Sequence, residues 1–206
     1  MSVKMMLWVI SKVVVKKRKA TDEYNELLKK YRKKEITLEE FGQEKPDYVM
    51  EYKKRIIEYA QRYIPDRTHI TELYLIIGEP GIGKTTSVTS LTKSYFIKTS
   101  NMQKWWDGYA QQELVIIDDF YGWMSPNEIF NLADSKPYQV QTKDGFQKFN
   151  SKAIIITTNK YPEQWWKPEI INKFNMKAFD RRVTLTWIRF NNHETSYFNY
   201  NFGSNP

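Results

Sequence analysis

Apolar residues follow two regimes along the chain. Up to about residue 66 they recur at helical spacing within a charged background, and from about residue 67 they come as short continuous runs between polar loops. In the first regime Thr37-Leu38-Glu39-Glu40 has the form of a capping box, with Thr37 as N-cap and Glu40 reaching back to it. Pro46 opens a further helix, whose apolar positions Val49, Tyr52, Ile56, Tyr59, Ala60 and Tyr63 form one stripe. The stripe either packs on its own domain or makes a subunit contact. Ile64-Pro65-Asp66 is the predicted boundary, because proline disfavours helix in the residue before it.

In the second regime strands and helices alternate. Leu73 to Ile77 predicts a strand, followed by a glycine loop and a helix from Lys84 to Lys93. Leu114 to Ile117 predicts a strand ending at Asp118-Asp119, and Ser125-Pro126-Asn127-Glu128 starts a helix with proline at its first position. The stretch from Tyr138 to Phe149 predicts a hairpin around Lys143-Asp144-Gly145, since Asp-Gly favours a tight turn. Ala153 to Ile156 predicts a strand ending at Thr157-Thr158-Asn159, and Val183 to Ile188 is strand-like. Continuously apolar strands separated by helices predict an α/β fold whose central parallel sheet is covered by helices. Residues 191–206, rich in Asn, Ser and Phe, are expected as a C-terminal tail.

Composition narrows the chemistry. The 206 residues contain no cysteine and only two histidines, His69 and His193, which excludes a thiolate zinc site, a disulfide framework and a cysteine nucleophile. The net charge is 32 − 24 = +8, a balance that favours a polyanionic partner. Residues 12–34 carry most of it: ten Lys/Arg against three acids, 10 − 3 = +7. This stretch is either a solvated lysine-rich helix face or an arm for nucleic acid or an import receptor. Lys16-Lys17-Arg18-Lys19 has the form of a short nuclear-import signal. The apolar start Met5 to Ile10 is interrupted by Lys12 and lacks the run and cleavage site of a signal peptide. No stretch reaches the ~18 apolar residues of a membrane span, so neither secretion nor a membrane partner is expected.

One motif carries specific chemistry. Gly78-Glu79-Pro80-Gly81-Ile82-Gly83-Lys84-Thr85 matches G-x-x-x-x-G-K-[ST], between a predicted strand and a predicted helix. Its glycines let backbone amides turn inward onto phosphate oxygens, and the helix N-terminus adds positive potential. Lys84 is expected on the β- and γ-phosphates, the Thr85 hydroxyl on Mg²⁺, and Thr86 next to it at the nucleotide. Asp118, at a strand end, is expected to hold Mg²⁺ with Thr85, and Asp119 to serve as base or to orient water. Asn159 is placed to hydrogen-bond the γ-phosphate or the attacking water. Arg181-Arg182 supply candidate arginines for the transferring phosphoryl of a neighbouring subunit, the alternative being a surface or ion-paired role. For Trp105-Trp106 and Trp165-Trp166 packing is expected over base stacking.

These residues together resemble the helicase domain of the replication initiator (Rep) proteins of circoviruses and related circular single-stranded DNA viruses, in helicase superfamily 3 of the AAA+ ATPases. The resemblance spans about residues 35 to 190. It rests on the P-loop, Lys104-Trp105-Trp106-Asp107-Gly108-Tyr109, Val115 to Trp123 with Asp118-Asp119-Phe120-Tyr121-Gly122-Trp123, the hairpin, Ile156-Thr157-Thr158-Asn159 and Arg181-Arg182. It implies an ATP hydrolase and helicase using ATP and Mg²⁺, in a homo-oligomeric ring, expected as a hexamer, whose nucleotide sits between subunits. It implies that Lys143 contacts the backbone of single-stranded DNA in the channel, and that residues 35–66 form an oligomerisation collar. The expected domains are therefore an arm (1–34), the collar (35–66), the ATPase (67–190) and the tail (191–206). A viral origin would place the protein in the host nucleus; otherwise an intracellular site is expected. The nicking domain of this family uses a His-hydrophobe-His pair, and no histidine precedes residue 66, so no nicking activity is expected. Two alternatives stay open: an ATP- and nucleic-acid-binding remnant without unwinding, and an RNA track in place of DNA.

Overall fold

The structure is a computed structural model that describes residues 22–173, 176–189 and 195–198. The chain divides into two compact units, Met1–Pro65 and Asp66–Pro206.

The described part of the first unit is three helices: α1 (residues 22–32), α2 (Leu38–Glu44) and α3 (Pro46–Gln61). The capping box forms as its residue types dictate: the Thr37 hydroxyl accepts the Glu40 N–H at 3.1 Å, and the Glu40 carboxylate accepts the Thr37 N–H at 2.7 Å. Phe41 on α2 is fully buried, with Tyr24 and Tyr31 of α1 edge-on at 5.9 and 6.2 Å. Part of the basic stretch is thereby tied into a folded unit, and Lys45 pairs with Glu23 at 2.8 Å. Of the α3 stripe, Ile56 and Ala60 are buried while Tyr63 is exposed. Lys16 to Lys19 lie outside the described residues.

The second unit is built on a six-stranded sheet. Its strands are β1 (Glu72–Gly78), β2 (Tyr95–Lys98), β3 (Leu114–Ile117), β6 (Ala153–Thr158), β7 (Val183–Arg189) and β8 (Thr195–Phe198), in the order β2-β3-β6-β1-β7-β8. The first five are parallel, and β8 pairs antiparallel with β7. β4 (Gln139–Thr142) and β5 (Gly145–Lys148) form a separate hairpin. The apolar runs are explained by two buried faces. Leu73, Leu75, Val115, Ile117, Ile154 and Ile156 face a large core of Trp106, Phe120, Ile129, Leu132, Trp165 and Phe179. Ile76, Leu114, Ile116 and Ile155 face Val88 of helix α4 (Lys84–Thr89). Helices α5 (Pro126–Leu132), α6 (Pro168–Lys173) and α7 (Lys177–Asp180) complete the unit. Trp106, Trp165 and Trp166 are buried packing residues, and Trp105 is half-buried.

Three expectations are revised. The helix predicted to reach Lys93 ends at Thr89. Its hydroxyls bond back to main-chain carbonyls, Ser87 to Gly83, Thr89 to Thr86 and Ser90 to Ser87, which offers the backbone an alternative to further helix. β2 was not anticipated, because Tyr95-Phe96-Ile97-Lys98 is short and ends in a charge; its lysine is in fact fully buried. Part of the expected tail, Thr195–Phe198, is an edge strand. The hairpin forms around Lys143-Asp144-Gly145 as expected, with Lys143-Asp144 in the turn and Thr142 paired to Gly145.

Parallel register brings the strand ends to one edge. Ile77 lies opposite Thr158, and Ile117 opposite both Ile156 and Lys98. Gly78, Asp118 and Asn159 therefore leave the sheet side by side, at the carboxyl ends where open α/β sheets bind ligands.

Candidate nucleotide site

The loop from Gly78 to Thr85 leaves β1 and returns into α4. Gly81 and Gly83 hold φ of 81° and 75°, a left-handed backbone that any side chain would strain. Glu79, Pro80 and Gly81 form the exposed crest, Ile82 and Gly83 are half-buried, and Thr86 is exposed on the first turn of α4. Lys84 folds back under the crest: its ammonium donates to the Gly78 and Glu79 carbonyls at 2.8 and 2.9 Å, and the residue is buried. Burial pulls its pKa below the ordinary lysine range, opposed by the attraction of Asp119, Asp118 and Glu79.

Next to the lysine the acids are held by hydroxyls. The Thr85 hydroxyl donates to Asp118 Oδ1 at 2.6 Å, and the Thr157 hydroxyl donates to the same oxygen at 2.6 Å. Thr157 in turn accepts the Asp119 N–H at 3.1 Å. Asp119 has φ 47°, a conformation aspartate tolerates better than most residues, and this turns the chain sharply after Asp118. The Thr158 hydroxyl holds the Phe120 carbonyl at 2.7 Å. Thr157 and Thr158 are fully buried and fix residues 118–120 from the neighbouring strand. Sequence reasoning assigned Thr157 no role. The signal was present, since a strand otherwise built of isoleucine ends in two threonines.

The other predicted residues are distributed as follows. Asn159 is exposed one residue beyond β6, and the side-chain bonds to the acidic segment run through Thr157 and Thr158 instead. Arg182 is committed within its own unit: it donates to Asp134 Oδ2 at 2.7 Å and to the Ala178 carbonyl at 2.9 Å, and lies over the Phe130 ring at 5.3 Å. Arg181 is exposed. Lys143 is at the hairpin turn, its N–H donating to Asp107 Oδ1 at 2.8 Å and its ammonium 3.8 Å from Asp107 Oδ2. Among the described residues no three His, Cys, Asp or Glu side chains gather into a cation cage. Thr85 and Asp118 instead offer two hard oxygens in contact, which suits a Mg²⁺ that keeps its remaining positions for water and phosphate. The inward-turned glycine loop with its lysine suits a phosphate chain.

Residues 74–160 match the RNA helicase family. The chain is similar to the replication-associated protein of Human associated cyclovirus 1, 39% identical over 158 residues, covering 72% of this chain and 55% of that protein. It is also similar to the replication-associated proteins of Beak and feather disease virus (39% identical; 57% of this chain, 38% of that protein) and Porcine circovirus 1 (35%; 55% and 36%). The chain thus spans about half, or less, of the length of the curated relatives it matches. Among the described residues no helix is long and apolar enough to cross a membrane.

Proposed function

We propose that this chain is an ATP-hydrolysing helicase motor that moves along a single nucleic-acid strand during rolling-circle replication of a viral or plasmid genome. The observation that carries the reading is the shared oxygen of Asp118, held by Thr85 and Thr157 at 2.6 Å each, beside the buried Lys84. The loop from Gly78 to Thr85 would hold the phosphates, and Thr85 with Asp118 would hold Mg²⁺, which supplies charge neutralisation for phosphoryl transfer. Asp119 is our candidate for orienting or deprotonating the attacking water, with Asn159 as a second polar group at the same sheet edge. Lys143 would grip the strand as a point charge on phosphate. We assign the trans-acting role in a ring, with six subunits as the working number, to Arg181, because Arg182 is occupied by Asp134. The basic residues up to position 34 would add strand affinity, and for a viral protein nuclear import.

Lys84→Ala is expected to abolish ATP hydrolysis while the chain still unfolds cooperatively; full hydrolysis in this variant refutes the site. Strand displacement with ATP separates a motor from a protein that only binds, and its absence at saturating protein favours the latter. The family's name makes RNA the second track, while the DNA reading rests on the resemblance to Rep proteins of single-stranded DNA viruses. Competition between DNA and RNA of one sequence decides between them.

A further inference from the structure

Lys98 ends β2 and is fully buried, although its neighbours in the strand are aromatic and aliphatic. Lysine is almost never buried to this degree without partners that hold it. Its ammonium donates to the Gln103 and Trp105 carbonyls, both at 2.6 Å. It also lies over two tryptophan rings, Trp106 at 5.3 Å and Trp123 at 6.0 Å. The two rings belong to different segments. Trp123 closes the acidic segment, its indole N–H donating to the Asp119 carbonyl at 3.3 Å. Trp106 belongs to the loop beside the hairpin, its N–H donating to the Gln141 carbonyl at 2.8 Å. The next residue, Asp107, holds the hairpin turn through Lys143. The main chain of Lys98 is engaged as well, since its carbonyl accepts the Asp118 N–H at 2.9 Å. A hydrocarbon side chain would fill this volume as Phe96 does, two residues earlier on the same face; what it would not do is fix the 103–107 loop against the acidic segment.

We propose that Lys98 is a positioning residue that couples the nucleotide site to the β4–β5 hairpin. Its ammonium reaches Trp123 of the acidic segment and the Gln103–Asp107 loop that contacts the hairpin. Rearrangement at Asp118-Asp119 is passed through Lys98 to the Gln103–Asp107 loop, and from there to the turn that carries Lys143. The inference rests on the motor reading above, in which nucleotide acts at Asp118 and the strand at Lys143.

The test is linkage, measured on the full chain. The dissociation constant for a fluorescent oligo-dT is measured by anisotropy with Mg²⁺, with and without a non-hydrolysable ATP analogue. In the unaltered chain nucleotide should change strand affinity by about fivefold or more, the lower end of ordinary coupling between sites. Lys98→Met should bring that ratio to within about twofold of unity and leave nucleotide affinity without strand unchanged, and Lys98→Arg should restore part of it. Asp107→Ala removes the last link at a half-exposed position, without disturbing the buried amine, and should lower the ratio in the same way even if Lys98→Met does not fold. The double variant should lose no more than either single one. A full ratio in Lys98→Met or in Asp107→Ala overturns the coupling. So does an unaltered chain that hydrolyses ATP and binds strand but shows no linkage between them. A chain that neither hydrolyses ATP nor binds strand overturns the motor reading, and the coupling with it.

Discussion

Replacing Thr157 by valine keeps the shape of the side chain and removes its hydroxyl. Two bonds go with it: the donation to Asp118 Oδ1 at 2.6 Å and the acceptance of the Asp119 N–H at 3.1 Å. The first is a bond to a carboxylate, with a net value of about 1.5–3 kcal/mol, and the second is an ordinary bond of about 1 kcal/mol. Thr157 is fully buried, so water does not replace either. We expect a loss of about 2–4 kcal/mol of stability, read as a lower urea midpoint at unchanged slope. The functional effect follows from Asp118 Oδ1 having two hydroxyl partners. If Thr85 turns to a bound Mg²⁺, Thr157 alone holds the carboxylate in place. The Mg²⁺ concentration needed for half-maximal ATP hydrolysis should therefore rise by about 10- to 100-fold, the usual effect of removing an outer partner of a metal ligand. Thr157→Ser should restore most of it. Unchanged Mg²⁺ dependence in a valine variant whose stability has fallen would show that Thr157 is purely structural and that Asp118 needs no orienting.

Gly122 has φ 90°, and a Cβ there would run into the Trp165 carbonyl oxygen. Gly122→Ala should cost about 3 kcal/mol or more in thermal denaturation, and an undiminished melting temperature would contradict that close approach. Arg182→Ala breaks a largely buried ion pair and should cost about 2 kcal/mol. Arg181→Ala should leave stability within about 0.5 kcal/mol and lower ATP turnover, and the reverse pattern would exchange their roles. Burial draws the Lys98 pKa from 10.5 down to about 8, against the attraction of Glu128 and Asp107. Below pH 8 both folded and unfolded chains bind this proton, so the burial penalty is present in full. Between about pH 8 and 10.5 only the unfolded chain binds it, so stability rises with pH, by up to about 3 kcal/mol at 1.36 kcal/mol per unit. The stability difference between the unaltered chain and Lys98→Met should change by that amount between pH 7 and 10.5 in urea titrations, and a constant difference would refute it.

The local features were legible in the chain because they depend on residues close in sequence. The capping box at Thr37, the proline starts of α3 and α5, the glycine loop and the four apolar strands all follow from short-range chemistry. Lys84, Thr85 and Asp118 could be proposed as one group because a phosphate loop and a strand-end acid each carry their own spacing, and the fold sets Thr85 against Asp118. What the sequence left open depended on register and burial. Arg181 and Arg182 are identical in residue type, and only the fold places Asp134 against one of them. Thr157 became a partner of Asp118 only when parallel pairing set β6 beside β3. Lys98 carries no signal in the sequence, and only the sheet buries it against two tryptophans. Spacing along the chain determines which groups a loop can present. Which distant groups share one oxygen or one ammonium is decided only when strands pair and exclude water around them.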